Sequence, residues 1–308
     1  MQTQRSIRFL LVVAAVTVSP ALAQDKGTLT PKPLPPLAHP NDPSLAAREL
    51  FGRKATATEG PPQSIGFYSH GCLAGGEALP INGPHWQVMR LSRNRNWGHP
   101  DLLRFLQHLS ETAATVGWPG LLVGDMSQPR GGPMLTGHAS HQVGLDADIW
   151  LRPMPDRELT REEREEMSAT NVVAADRKDV DPAIWTQAHA ALIRSAAANP
   201  EVERIFVNPA IKKALCRQPG GSRTWLDKVR PYWGHDYHFH VRIRCPQGSR
   251  ECEPQPEPAA SDACGKELDW WFKEAILHPP PPTTPPKPKP PLTMANLPAD
   301  CRAVVAAP

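Results

Sequence analysis

Proline decides where this chain can fold. Of its 37 prolines, Pro31, Pro33, Pro35, Pro36, Pro40 and Pro43 crowd the segment 24–63, and a second run fills 279–291. Proline has no amide hydrogen and a fixed φ, so neither segment supports a regular helix or a central strand. The second should favour extended polyproline structure. Residues 64–278 remain as the folded body, about 215 residues, a length that one hydrophobic core can serve. A chain 40% hydrophobic and 21% charged is ordinary globular material. Its 21 glycines have no three-residue period, which excludes a collagen-like rod. No internal repeat is visible.

The first residues place the chain outside the cytoplasm. Arg5 and Arg8 precede an apolar run from Phe9 to Val18, and Ala21-Leu22-Ala23 follows as a small-x-small cleavage site. Residues 1–23 therefore read as a secretory signal peptide. The run falls short of the roughly 20 residues needed to span a bilayer, and no later stretch approaches that length. With no cysteine beside the cleavage site to carry a lipid, a soluble periplasmic protein without a membrane span is expected. The 34 basic and 31 acidic groups nearly balance, and Arg5 and Arg8 belong to the export segment, so nothing favours nucleic-acid binding.

An exported chain with six cysteines is expected to form three disulfides. Several connectivities are open to six cysteines, and sequence alone does not choose among them. Cys245 and Cys252 enclose a short turn whose closure costs little entropy. Cys301 lies beyond the second proline run, and joining it to Cys72 would strap the tail, 279–308, back onto the body. Cys216 and Cys264 would then clip the segments on either side of the last strand.

Within the body, apolar spacing predicts helices over Pro100–Val116 and Pro182–Ala198. The charged run Arg157–Met167 reads as a solvated helix. Strands are expected at Gly120–Gly124, Gly144–Leu151, Arg204–Asn208 and His238–Cys245. The two types do not alternate as βαβ units, so the expected fold is α+β, a small antiparallel sheet packed on helices and stapled by disulfides.

Two strings concentrate chemistry, Gly137–Trp150 and Gly234–Cys245. They contain a His-x6-Asp pair, His141 and Asp148, and a His-x-His pair, His238 and His240. Either spacing alone says little. On a strand, however, Leu145, Ala147 and Ile149 point one way and Asp146, Asp148 and Trp150 the other. The same alternation sets Phe239, Val241, Ile243 and Cys245 against His238, His240, Arg242 and Arg244. Asp148 and His240 would meet on the polar face, with His141 delivered by the turn that Gly144 permits. Two imidazoles and a carboxylate suit Zn2+, and three protein ligands leave a position open for water, the catalytic arrangement. His238, about 6.5 Å along the strand from His240, is placed to act as a general base or oxyanion stabiliser.

Met134–Asp148 and His238–Pro246, with Tyr68–Cys72, Trp97–Asp101, Ile205–Ile211 and the proline tail, resemble the penicillin-insensitive murein endopeptidases. These periplasmic zinc peptidases share a metal core with D-alanyl-D-alanine metallopeptidases and lysostaphin-type enzymes. The resemblance runs from about Ser64 to Cys301. It implies zinc ligands His141, Asp148 and His240, a catalytic imidazole at His238 with His235 beside it, and a site-lining or metal-binding role for His138. The family's Asp-x-x-His, associated with further metal binding, appears here as Asp176-Arg177-Lys178-Asp179. Asp176 is thus a candidate metal ligand without its histidine partner.

The implied reaction is hydrolysis of D-alanyl to meso-diaminopimelyl cross-links in peptidoglycan without an acyl-enzyme. Arg93, Arg95, Arg130 and Arg242 are candidates to hold stem-peptide carboxylates. Two other readings compete: a D,D-carboxypeptidase or dipeptidase on the same core, and a non-catalytic peptidoglycan-binding module stabilised by zinc. Oligomeric state is not legible.

Overall fold

The computed structural model describes residues 26–258, 261–281 and 289–308. The expected signal peptide and residues 282–288 of the proline run lie outside the described residues. In chain order the helices are α1 (Ala47–Phe51), α2 (Pro100–Thr115), α3 (Arg161–Glu166), α4 (Gln187–Ala198), α5 (Pro209–Cys216), α6 (Lys266–Trp270), α7 (Glu274–Leu277) and α8 (Cys301–Ala306). The strands are β1 (Gln63–Phe67), β2 (His70–Ala74), β3 (Glu77–Ala78), β4 (Asn82–Gly83), β5 (Trp86–Val88), β6 (Trp97–Gly98), β7 (Leu121–Val123), β8 (Asp146–Pro153), β9 (Val202–Val207), β10 (Val229–Pro231) and β11 (His238–Ile243).

The fold is α+β. Its main sheet has the order β10-β9-β11-β8-β7-β5-β4, with β1-β2 and β3-β6 as separate two-stranded ribbons. The strands around the histidines, β9, β11, β8 and β7, pair antiparallel. Farther out, β5 joins β7 and β10 joins β9 in parallel. Those parallel neighbours are reached through longer excursions, through α2 and α5, which short-range alternation does not register.

Local chemistry starts the helices that cover the sheet. His99 caps α2 by accepting the Asp101 N–H at 3.2 Å, and Pro100 occupies the first turn, where no amide donor is needed. Leu102, Phe105, Leu106, Leu109 and Ala113 then form its buried stripe. Asn208 caps α5 in the same manner, accepting from Ala210 N–H at 3.0 Å. The helix expected from Pro182 begins only at Gln187. Ile184 and Trp185 both donate to the Asp181 carbonyl, closing one turn before Thr186 opens the continuous helix.

Helices α2, α4 and α5 share one core with Ala147, Ile149, Ile205, Phe239 and Val241 of the sheet. A satellite cluster joins Ala47 and Phe51 of α1, Ile65 and Cys72 of the hairpin, and Leu297, Cys301 and Val304 of the tail. The Pro-rich leader thus contains one short helix, placed in the proline-free stretch between Pro43 and Pro61. Three disulfides close the chain: Cys72–Cys301, Cys216–Cys264 and Cys245–Cys252. Among the described residues no helix is long and apolar enough to cross a membrane.

The charged run departs from expectation. Within α3, Arg164 and Glu165 are buried. Arg164 donates to the carbonyls of Leu159, Ile81 and Val88 at 2.9–3.1 Å. Glu165 accepts from the Ser92 amide and hydroxyl, both at 2.8 Å. The guanidinium thus serves as a donor to three backbone carbonyls from separate segments.

Arg164→Ala, which strips several buried carbonyls of a donor at once, should lower unfolding stability by more than about 3 kcal/mol; a loss below 1 kcal/mol in denaturant titration would contradict this assignment. Replacing Cys72 and Cys301 together by Ala should cost about 2–5 kcal/mol. In that variant limited proteolysis should cut first within 292–308, whereas unchanged protection would show that packing alone holds the tail.

Candidate metal centre

Register builds the site. In the β8–β11 pair His240 stands opposite Asp148, Arg242 opposite Asp146 and His238 opposite Trp150. Because Ala147, Ile149, Phe239 and Val241 enter the core, strand alternation turns Asp146, Asp148, His238, His240 and Arg242 to the other face.

His141 comes from the loop before β8. Its φ of 65° is left-handed, uncommon for a residue with a Cβ. The conformation is fixed by its N–H, which donates to Asp146 Oδ2 at 2.9 Å. Gly144, with φ 72°, completes the turn; a Cβ there would lie 2.7 Å from Leu73 Cδ2 and 3.0 Å from the His99 nitrogen. Only glycine fits such an approach.

Imidazoles converge on the Asp148 carboxylate. Asp148 Oδ1 lies 3.2 Å from His240 Nδ1, 3.5 Å from His141 Nε2 and 3.5 Å from His238 Nε2. His138 Nδ1 is 3.6 Å from Oδ2. Ligand atoms of His138, His141 and Asp148 all fall within 4.8 Å of one another. His240 does not belong to that trio, yet its Nδ1 is the nitrogen nearest Asp148. His141, Asp148 and His240 therefore form one triad, with His138 at its side.

These atoms fit a bound metal. Both ring nitrogens of His141, Asp148 Oδ1 and His238 Nδ1 are buried without a hydrogen-bond partner. Buried polar atoms left unpaired cost free energy unless something else satisfies them. A cation among two imidazoles and a carboxylate would do so.

Asp146 supports the triad from behind. It is fully buried and accepts from Arg242 Nε at 2.8 Å and Nη2 at 3.3 Å, while His240 Nε2 lies 3.1 Å from its Oδ1. Arg242 in turn stacks 3.9 Å over the Tyr68 ring, whose hydroxyl donates to Glu203 at 2.6 Å. Arg242 is therefore a buried partner of Asp146 and is not placed to grip substrate. Arg130 is likewise committed, donating to the carbonyls of Thr56, Val304 and Ala307. Arg93 and Arg95 both donate to Asp125 at 2.9 Å, and Asp125 faces His138 Nε2 at 3.0 Å.

The imidazoles differ in charge. Burial opposes a proton on His240, but Asp146 and Asp148 outweigh it and hold its pKa up at about 9. Burial and the neighbouring His138 push His141 down to about 4. Burial also lowers His238, against the pull of Asp148. His235 falls to about 3 through burial beside His238 and His240. Burial would raise Asp148, yet the histidines His238, His141 and His138 keep it well below the usual carboxylate range.

His235 also has left-handed backbone, φ 53°. Its Nδ1 lies 2.8 Å from the Trp233 carbonyl, and its ring centroid is 4.8 Å from that of His238. Asp176 is not brought to the cluster: it is exposed and accepts the Lys178 N–H at 3.0 Å in a local turn. Two contributors escaped the sequence reading. Asp146 was signalled by the Asp-x-Asp period that puts it on the face of Asp148, whereas Asp125 lies outside both strings and had no signal. A cleft of about 610 Å3 lined by Arg152, Met154, Leu159 and Met167 holds no histidine, so side-chain convergence rather than cavity size locates the chemistry.

Substituting Ala for His141, Asp148 or His240 should abolish stoichiometric metal in protein purified without chelator, measured by mass spectrometry of the bound element. Asp146→Asn, which leaves every triad atom in place, should weaken metal affinity about 10- to 100-fold. Affinity unchanged in a competitive chelator titration would remove Asp146 from the centre.

Comparison with known proteins places the chain in a family. The family model described as penicillin-insensitive murein endopeptidase matches residues 64–306. A protein of that name from Klebsiella pneumoniae subsp. pneumoniae is 47% identical over 246 residues, covering 80% of this chain and 87% of the relative. Its namesake from Haemophilus influenzae is 46% identical over 223 residues, 72% and 77% of the two chains. One from Escherichia coli O1:K1 is 46% identical over 246 residues, 80% and 87%. With the match running through the hairpin, both site strands and the cysteine-anchored tail, this chain belongs to the penicillin-insensitive murein endopeptidase family.

Proposed function

We propose that this protein is a periplasmic zinc peptidase that hydrolyses D-alanyl to meso-diaminopimelyl cross-links of murein. The observation that supports this most is the convergence of His141, His240 and Asp148, with both ring nitrogens of His141 and Asp148 Oδ1 unpaired, in a member of a murein endopeptidase family. Zinc would be held by His141, Asp148 and His240 Nδ1, and would supply Lewis acidity toward water and the scissile carbonyl. His138, whose ligand atom lies within 4.8 Å of those of His141 and Asp148, would share in metal binding.

The chain's own groups divide the rest of the work. Asp146 keeps His240 Nε2 engaged and so aims Nδ1 at the centre. His238, whose pKa burial keeps low, is neutral at pH 7 and able to take a proton from water. It can then return that proton to the leaving amine. His235, also neutral, borders His238 on the open side. No Ser-x-x-Lys occurs in the sequence, so the residues β-lactams acylate are missing.

Purified protein incubated with defined cross-linked muropeptide dimers should yield monomers, and chelator should stop the reaction. Free terminal D-alanine with intact cross-links would instead identify a carboxypeptidase, and bound dimer without products a binding module. His238→Ala should keep its zinc and lose roughly 10²- to 10⁴-fold in turnover. Full turnover in that variant would reduce His238 to packing.

A further inference from the structure

Beside the histidines lies a row of aromatic rings that the proposed chemistry does not use. Tyr232, Trp233 and Trp270 are 54%, 44% and 43% exposed. Among the described residues the remaining large exposed hydrophobics, Leu29, Leu34 and Ile81, are aliphatic and come from other segments. Trp233 packs edge-on to Trp271 with centroids 5.0 Å apart, and Trp271 to Trp270 at 5.1 Å. At the other end Tyr232 meets His235 at 5.6 Å, and His235 meets His238 at 4.8 Å. The two groups of rings join through the backbone of Tyr232 and Trp233, whose carbonyl lies 2.8 Å from His235 Nδ1, so they stand beside the site.

Two segments distant in sequence build it. Tyr232 and Trp233 follow β10. Trp270 ends α6 and Trp271 follows it, in a segment clipped to α5 by Cys216–Cys264; α7 beyond it is tied by Arg177, which donates to the Leu277 carbonyl at 2.9 Å. The Arg177 guanidinium also sits 5.8 Å over the Trp233 ring. Exposed apolar surface costs solubility and marks a contact surface when it is contiguous. Indole and phenol rings are large flat faces with a polar edge, suited to a ligand that is apolar on one side and wet on the other.

Resting on the reading of murein as substrate, we propose that Tyr232, Trp233, Trp270 and Trp271 form a platform on which sugar rings of the glycan strand stack. The substrate offers two surfaces to a site of this kind. Its stem peptides carry carboxylates and methyl groups, which call for cations and small pockets. Its glycan carries uncharged pyranose rings, each with a C–H face and a rim of hydroxyl and amide groups. Bare aromatic faces with one guanidinium nearby complement the second, not the first. The platform would hold the strand while the peptide branching from it reaches His238.

Three measurements test this with Trp233→Ala and Trp270→Ala. Neither side chain belongs to the metal centre, and the first variant retains the carbonyl that faces His235. Peptide-free glycan strands should quench the tryptophan fluorescence of the wild type saturably and bind each variant more weakly. KM for glycan-bearing cross-linked dimers should rise about 5- to 10-fold per ring. Turnover of a sugar-free cross-linked peptide dimer should stay within about twofold of wild type, a change too small to reflect a lost contact. Equal losses on both substrates, or no saturable binding of glycan strands by the wild type, would overturn the platform. If the wild type cleaved neither dimer, the endopeptidase reading would fall, and the glycan titration alone would decide the platform.

Discussion

The centre depends on one buried ion pair, Asp146 with Arg242. A carboxylate with no exposure to water is costly unless strongly paired, and here a guanidinium approaches both of its oxygens. What remains of its accepting capacity fixes two histidines, the backbone of His141 and the ring of His240. The pair stands one residue pair along the β8–β11 ladder from Asp148 and His240. Aiming a ligand and anchoring a strained turn are thus done by the same group. Removing Arg242 would leave a buried charge unpaired beside the proposed metal ligands, so the pair and the cluster stand together.

The sheet gives that pair its precision. Phe239 and Val241 on one side of β11 are fully buried against the helices, so a one-residue slip would drive His240 into the core. The apolar face enforces the register of the polar one. Within the site, left-handed backbone falls off the strands, at His141 and His235, where surrounding hydrogen bonds hold it.

The periphery is organised by ties rather than by a large core. Cys72–Cys301 and Arg130 bring the tail to the hairpin. Cys216–Cys264 brings α6 to α5 and with it the tryptophans beside the site. Proline-rich connections explain why such ties are useful: chain that cannot form sheet or long helix has few backbone contacts with which to dock.

The sequence by itself determined much of the centre. Alternation over Gly144–Leu151 and His238–Cys245 placed Asp148, His238 and His240 on one face, because strand period is fixed by backbone geometry. The turn at Gly144 that delivers His141 was legible for the same reason. Tertiary structure decided what surrounds them. Asp125, on no recognised motif, meets His138 across the loop. Arg242 and Arg130 read as candidates to hold substrate carboxylates until packing gave them internal acceptors, and Arg164 and Glu165 in a charged run proved to be interior struts. Asp176 stayed outside the cluster. A side chain's charge is written locally, but whether it faces water, a carbonyl or a metal depends on residues far away in the chain, and only folding brings those together.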